Sequence, residues 1–176
     1  MDQAENLRKI MQQKEEQAKE AARVIAVTSG KGGVGKSSVS VNLAIQFARM
    51  GKSVVILDAD FGLANVEVMF GVIPKYNLSD LMLNGMDIKD IITDGPEGVK
   101  FISGGSGIAK LVNLDKEQVK RLVNKLSELE SMADVIIIDT GAGISASVME
   151  FLVASPETIL VTTPEPTSVS YTHLTL

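Results

Sequence analysis

The chain has 176 residues, with 17 lysines and arginines against 22 aspartates and glutamates, so at a formal charge of −5 the whole molecule has no basic footprint for nucleic acid. It contains no cysteine, which excludes disulfides, thiolate metal ligands and cysteine nucleophiles within it, and its one histidine, His173, reads as a surface side chain. With no signal peptide and no apolar run long enough to span a bilayer, the expectation is a cytoplasmic domain built on one core.

Met1 to Arg23 is free of glycine and proline and dense in Gln, Glu, Lys and Arg. Its helix propensity is high, but Leu7, Ile10 and Met11 make only one small apolar patch. Two readings stand: a solvated leader, or a short docking helix that lays Leu7 and Ile10 on a partner.

Val24 to Thr28 is a short β-branched run that predicts a buried parallel strand. It leads into Gly30-Lys31-Gly32-Gly33-Val34-Gly35-Lys36-Ser37, which fits the phosphate-loop pattern G-x-x-x-x-G-K-[ST]. Val39, Leu43, Ala44, Phe47 and Ala48 then fall at helical spacing, with Gly51 as a stop. Strand, glycine loop and helix are the context this motif requires. Glycines let backbone amides approach an anion, and the helix N-terminus adds unpaired amides and partial positive charge. Lys36 is placed to reach β- and γ-phosphates and the Ser37 hydroxyl to ligate Mg²⁺.

Ser53 to Leu57 is a second apolar run, ending in Asp58, and Val99 to Ile102 is a weaker strand candidate. Lys116 to Met132 predicts a long helix and Val135 to Ile138 a strong strand ending in Asp139. A helix near Ser147 to Ala154 and a strand from Thr158 to Thr162 complete the alternation. Such alternation predicts an α/β fold, a doubly wound and mostly parallel sheet with helices on both faces. Ligands of these sheets bind beyond the carboxyl ends of the strands, where Asp58 and Asp139 fall.

Asp139, after four apolar residues, matches the aspartate that supports Mg²⁺ in phosphate-loop enzymes, and Thr140-Gly141-Ala142-Gly143 reads as a flexible sensor of the γ-phosphate. Asp58 and Asp60 are two apart and so share a direction on extended backbone. They admit two readings: one orients an attacking water while the other supports the metal, or both are turn residues beside Phe61-Gly62.

Lys31 in the loop, Asp58-Ala59-Asp60-Phe61-Gly62-Leu63-Ala64-Asn65 and Ile138-Asp139-Thr140-Gly141-Ala142-Gly143 resemble the MinD/ParA group of ATPases, which carry a deviant Walker A loop. The resemblance runs from about Arg23 to Ser168. It implies a Mg²⁺-dependent ATPase that binds ATP between two subunits, with Lys31 reaching the partner's nucleotide, Asp60 positioning water, and Asp58 and Asp139 supporting Mg²⁺. It also implies nucleotide contacts from Gly30 through Ser38 and from Pro164 and Glu165.

Within that group the chain most resembles the FlhG (FleN, YlxH) branch, which controls flagellar number and placement. Asp2-Gln3-Ala4-Glu5-Asn6-Leu7-Arg8 is similar to the segment with which that branch stimulates an FlhF-type GTPase, so Asp2, Gln3, Ala4, Leu7 and Arg8 become expected partner contacts. Thr162 to Ser168, and Gly105-Ser106-Gly107 leading to Leu111-Val112-Asn113-Leu114, point the same way. The implied partners are an ATP-dependent homodimer, the GTPase and flagellar basal-body components, with no nucleic acid. Division-site MinD and partition ATPases of the ParA type are the alternatives. Iron–sulfur scaffold ATPases of the same superfamily need cysteines.

The pattern fails after Ser168, where Val169 to Leu176 departs from the family. The organisation expected is a docking extension over 1–23, a P-loop ATPase domain over 24–168 that is truncated at its C-terminal side, and a non-native tail over 169–176. Membrane attachment is expected only through a C-terminal helix outside this sequence, giving peripheral inner-membrane association in the full-length family member. Adenine specificity is expected to lie there too.

Overall fold

The computed structural model of the chain describes residues 22–61, 63–105 and 116–164. Among these residues one sheet has the order β3-β4-β2-β5-β1-β6: β1 Arg23–Ser29, β2 Val54–Ala59, β3 Thr93–Asp94, β4 Lys100–Ile102, β5 Val135–Ala142 and β6 Glu157–Leu160. Every pairing is parallel except that of β3 with β4.

Alternate residues of the central strands feed two separate cores. Val54 and Ile56 of β2, with Ile25 and Val27 of β1, pack with Val41 and Ala44 of helix α1 (Lys36–Arg49) and Val66 of α2 (Asn65–Phe70). Val55 and Leu57, with Ile136 and Ile138 of β5, pack on the other face. Their partners there are Leu81 of α3 (Leu78–Leu83), Leu122 of α4 (Lys116–Leu126) and Phe151 of α5 (Ala146–Ala154). A strand covered on both faces has no polar side, which is why these runs read as continuously apolar. Each fully buried valine, leucine or isoleucine contributes roughly 1.5–3 kcal/mol. The expected doubly wound architecture is what forms.

Several expectations need correcting. The leader assigned to 1–23 runs one residue too far, because Arg23 opens β1: it pairs with Val135, and its guanidinium bonds both oxygens of Glu157 at 2.6 and 2.7 Å. Thr140 to Ala142 continue β5 instead of forming a loop, held by the Thr140 Oγ1 bond to the Val27 carbonyl at 3.0 Å and the pairing of Ala142 with Ser29. The turn starts at Gly143, whose φ of 90° suits glycine. On α1 the buried stripe is Ser40, Val41 and Ala44, while Val39 faces outward. Helix α4 stops at Leu126 and tightens into a 3₁₀ turn over Ser127–Ser131. Helices α2 and α3 and the short edge strand β3 were not anticipated. Helix α3 begins on a capping box formed by Asn77 and Asp80.

Candidate nucleotide site

The loop Gly30 to Gly35 connects β1 directly to α1. Gly33 and Gly35 have φ of 76° and 95°, left-handed values that a side chain would disfavour. Ser29 Oγ donates to the Lys31 carbonyl at 2.7 Å, and the Gly143 amide donates to the Ser29 carbonyl at 2.9 Å, so the loop entrance is tied to the end of β5. Gly35 is the N-cap of α1, and no side chain caps this helix. By contrast, α3 and α5 are capped by Asn77 and Ser145. A 14-residue helix that begins on left-handed glycine without a side-chain acceptor presents its first amides to an anion. Lys36 is buried at that N-terminus; Ser37 is half-buried and Ser38 exposed. Lys31 and Gly32 are exposed, and Val34 and Gly30 half-buried.

Two carboxylates lie beside this helix. Asp58 on β2 and Asp139 on β5 are register partners, and both are fully buried. Asp139 Oδ1 accepts from Ser40 Oγ at 2.9 Å, and the Ser37 hydroxyl lies near enough to favour the ionised form of the same carboxyl. Burial nevertheless pushes Asp139 above the ordinary carboxylate range, opposed by those two hydroxyls and the charge of Lys36. Asp58 is pushed up to about 7, first by burial and then by the charge of Asp139, against the pull of the Val66 and Asp60 amides. Asp58 Oδ2 accepts from Val66 N at 3.0 Å and Oδ1 from Asp60 N at 3.2 Å. Asp60 follows β2 and is half-buried, its Oδ2 bonded by Asn65 Nδ2 at 3.4 Å. A side chain added at Gly141 would lie 3.8 Å from Asp60 Oδ1, so Asp60 sits over the last residues of β5.

The structure therefore brings the loop, Lys36, Ser37, Asp58, Asp60 and Asp139 to one end of the sheet. Pro164 falls just past β6 on that same side, where the Val161 amide bonds the Thr28 carbonyl at 2.8 Å. Asp2, Gln3, Ala4, Leu7, Arg8, Gly62, Glu165, the Ser106 to Leu114 stretch and the 169–176 tail lie outside the described residues. Ser40, which bonds Asp139, and Glu67, Ser103 and Gly104, which stand behind Asp58 without joining the site, are absent from the sequence reading. For Ser40 a sequence signal existed, a polar residue at i+4 from the loop lysine on the buried helix face.

The donor set fits Mg²⁺ with a nucleotide. Oxygen ligands suit a hard cation. Asp139 Oδ2 is buried without a hydrogen-bond partner among the described residues, next to the Ser37 hydroxyl. Such an orphan acceptor is what a cation or its bound water would satisfy.

A glycine loop between the first strand and an uncapped helix, with acidic strand ends beside it, places this molecule among the P-loop nucleoside triphosphatases. The chain belongs to the ParA/MinD-type family of that class: the family model described as ParA, NUBPL iron-transfer P-loop NTPase, matches residues 20–174. It is similar to the antiactivator FleN of Pseudomonas aeruginosa, at 45% identity over 84% of this chain and 53% of that protein. The flagellum site-determining protein YlxH of Helicobacter pylori is 41% identical over 84% of this chain and 50% of its own length. Among solved structures, the septum site-determining protein MinD complexed with Mg-ADP from Pyrococcus horikoshii superposes with a TM-score of 0.73 at 30% identity, covering 84% of this chain and 60% of that one. The chain thus spans about half the length of the curated relatives it matches.

Proposed function

We propose that this chain is the nucleotide-binding part of an ATP-driven switch that sets flagellar number or placement. The observation that carries the reading is the registered pair Asp58 and Asp139 beside an uncapped phosphate-loop helix. Similarity to FleN and YlxH supports the flagellar assignment, and similarity to the Mg-ADP complex of MinD supports the nucleotide and metal.

In this reading the loop amides and Lys36 hold the β- and γ-phosphates, and Ser37, Asp58 and Asp139 hold Mg²⁺ directly or through water. Bound Mg²⁺ would supply charge neutralisation on the phosphates. Asp60 orients the attacking water, a step of positioning with little covalent work for the protein. Ser38, Pro164 and Glu165 complete the nucleotide contacts. Lys31 acts across a homodimer on the partner's nucleotide, so ATP assembles the dimer and hydrolysis dissolves it. The segment around Asp2, Gln3, Ala4, Leu7 and Arg8 reads out the state by stimulating an FlhF-type GTPase, and basal-body components are further partners. Among the described residues no helix is long and apolar enough to cross a membrane. The place of action is the cytoplasm, with peripheral membrane attachment belonging to the full-length relative.

The test is sedimentation with ATP and Mg²⁺ alongside a phosphate-release assay. ATP-dependent association that Lys31→Ala abolishes, with hydrolysis that Asp60→Ala abolishes, is the expected result. A parent chain that neither binds ATP nor releases phosphate would end the reading. A peptide of residues 1–23 that leaves the GTPase rate unchanged would remove the leader's role alone.

A further inference from the structure

The segment that carries Asp60 is closed into a ring by residues remote from the phosphate loop. The Asp58 carboxylate accepts from the Val66 amide at 3.0 Å. The next residue, Glu67, accepts from Ser103 Oγ at 2.7 Å. The residue after Ser103, Gly104, lies so close to the Asp58 carbonyl that an added Cβ would stand 2.6 Å from its oxygen. From Asp58 through Val66-Glu67 and Ser103-Gly104 the contacts return to Asp58.

Inside this ring the backbone is bent. Ala64 holds φ of 45° and ψ of 46°, a left-handed conformation unfavourable for alanine, and it is 2% exposed. Such a conformation persists only where the surroundings over-determine it. Its surroundings are the Asp58–Val66 bond, the Asn65–Asp60 bond and the Glu67–Ser103 bond. Ser103 is itself fixed: it is fully buried, its Oγ also accepts from the Gly105 amide at 3.0 Å, and its carbonyl accepts from the Leu78 amide at 3.0 Å. Glu67 is thus the link between a rigid post at the end of β4 and a bent, strained segment.

From this ring we infer that Glu67 and Ser103 form a clasp that positions Asp60 for hydrolysis, and that both are positioning residues which touch neither nucleotide nor water. This rests on the ATPase reading above and extends it to two residues whose types carry no catalytic signal. Opening the clasp lets Ala64 relax and moves Asp60, while the phosphate loop, which leaves the end of β1 with β5 between that strand and β2, keeps its geometry. The consequence is a loss in turnover without a loss in ATP affinity.

The test compares the parent chain with Glu67→Ala, Ser103→Ala, the double alanine variant and Glu67→Gln, whose amide oxygen still accepts from Ser103. Each is measured for binding of a fluorescent ATP analogue with Mg²⁺, for steady-state hydrolysis, and for amide exchange over Asp60 to Val66. Both alanine variants should lose about tenfold or more in kcat, within the loss a shift of about 1 Å can cause, with analogue affinity held within about twofold. The double variant should be no worse than either single one, Glu67→Gln should stay near the parent, and the Val66 amide should exchange faster only in the alanine variants. Alanine variants with parental kcat would overturn the clasp, as would parallel losses of affinity and turnover with faster exchange throughout the fold. A parent chain without hydrolysis ends the ATPase reading and the role of Asp60 with it; a hydrolysing parent with unaffected variants ends the clasp alone.

Discussion

Asp58 and Asp139 stand opposite one another on neighbouring parallel strands, both without solvent exposure, and Lys36 is the cation whose charge acts on the second of them. Two buried carboxyls at such a distance disfavour simultaneous ionisation. The pair is therefore costly to the fold and useful to a cation, and its titration separates these two effects.

The first prediction concerns pH. Asp58 rises from an ordinary 3.8 to about 7 on folding, and Asp139 rises as well. Between roughly pH 4 and pH 7 the native state then binds more protons than the unfolded chain, so stability falls as pH rises through that window. Without nucleotide or Mg²⁺, the unfolding midpoint should increase from about pH 8 to about pH 5.5, and Asp58→Asn should flatten that slope. Affinity for Mg²⁺ with nucleotide should move the opposite way and weaken below about pH 7, because the cation needs the ionised pair. Differential scanning calorimetry across pH decides the first sign and titration calorimetry the second. A parent chain that grows more stable from about pH 5.5 to about pH 8, by a slope that Asp58→Asn removes, would refute the burial argument.

The second prediction isolates Ser40. Its hydroxyl donates to Asp139 Oδ1 at 2.9 Å and also reaches the Lys36 carbonyl at 3.2 Å. Ser40→Ala leaves a buried carboxyl with one donor fewer, which costs roughly 1–3 kcal/mol and pushes Asp139 further up. Urea unfolding at neutral pH should show that loss, and the loss should shrink on acidification as Asp139 becomes protonated. An equal loss at both pH values would mean that Ser40 only packs.

A third prediction follows from Gly104. Its neighbour at 2.6 Å is a backbone oxygen, which cannot swing aside as a flexible side chain can. Gly104→Ala should cost about 1–3 kcal/mol by overpacking and should displace Asp58 as it does so. Gly51, at φ of 81° with no atom within 4 Å of an added Cβ, is the control. Gly51→Ala pays only a left-handed backbone cost of roughly 1–2 kcal/mol. Stability alone will not separate the two variants, whereas ATP affinity will, since only Gly104→Ala should lower it.

Much of the fold was legible because its strands are buried on both faces and short. Val24 to Thr28 and Val135 to Ile138 have no polar alternation to confuse them with surface strands. The short elements were not legible: α2 has six residues and β3 only two, and both exist through tertiary contacts such as the Val66 amide on Asp58. On helix α1 the spacing found Leu43, Ala44, Phe47 and Ala48 on the packed face, but it placed Val39 inward and passed over Ser40, whose partner Asp139 lies 99 residues away. The loop and its aspartates could be found from spacing and local context. Glu67 and Ser103 could not, since a bond across 36 positions between two ordinary polar residues leaves no local pattern.

The last prediction turns on Lys36, which is 7% exposed and whose positive charge helps hold Asp139 ionised. Lys36→Met keeps the length of the buried stem and removes only the ammonium. Two consequences compete. Taking a buried charge out of the fold relieves its desolvation, which favours the variant. It also withdraws a counter-charge from Asp139, a carboxyl already short of solvent, which disfavours the variant once Asp139 ionises. The second effect follows the ionisation of Asp139 and so depends on pH. Near pH 5.5, where Asp58 is mostly protonated and Asp139 carries less charge than near pH 8, Lys36→Met should compare more favourably with the parent. Near pH 8 it should be weaker than the parent, because the ionised Asp139 has lost its counter-charge. ATP binding should be lost at both pH values, by about a hundredfold or more, because among the described residues Lys36 is the one buried cation and it stands at the start of the loop's helix. Chemical unfolding at the two pH values and binding of a fluorescent ATP analogue check both halves, and a stability difference independent of pH would show that Lys36 does not act on Asp139.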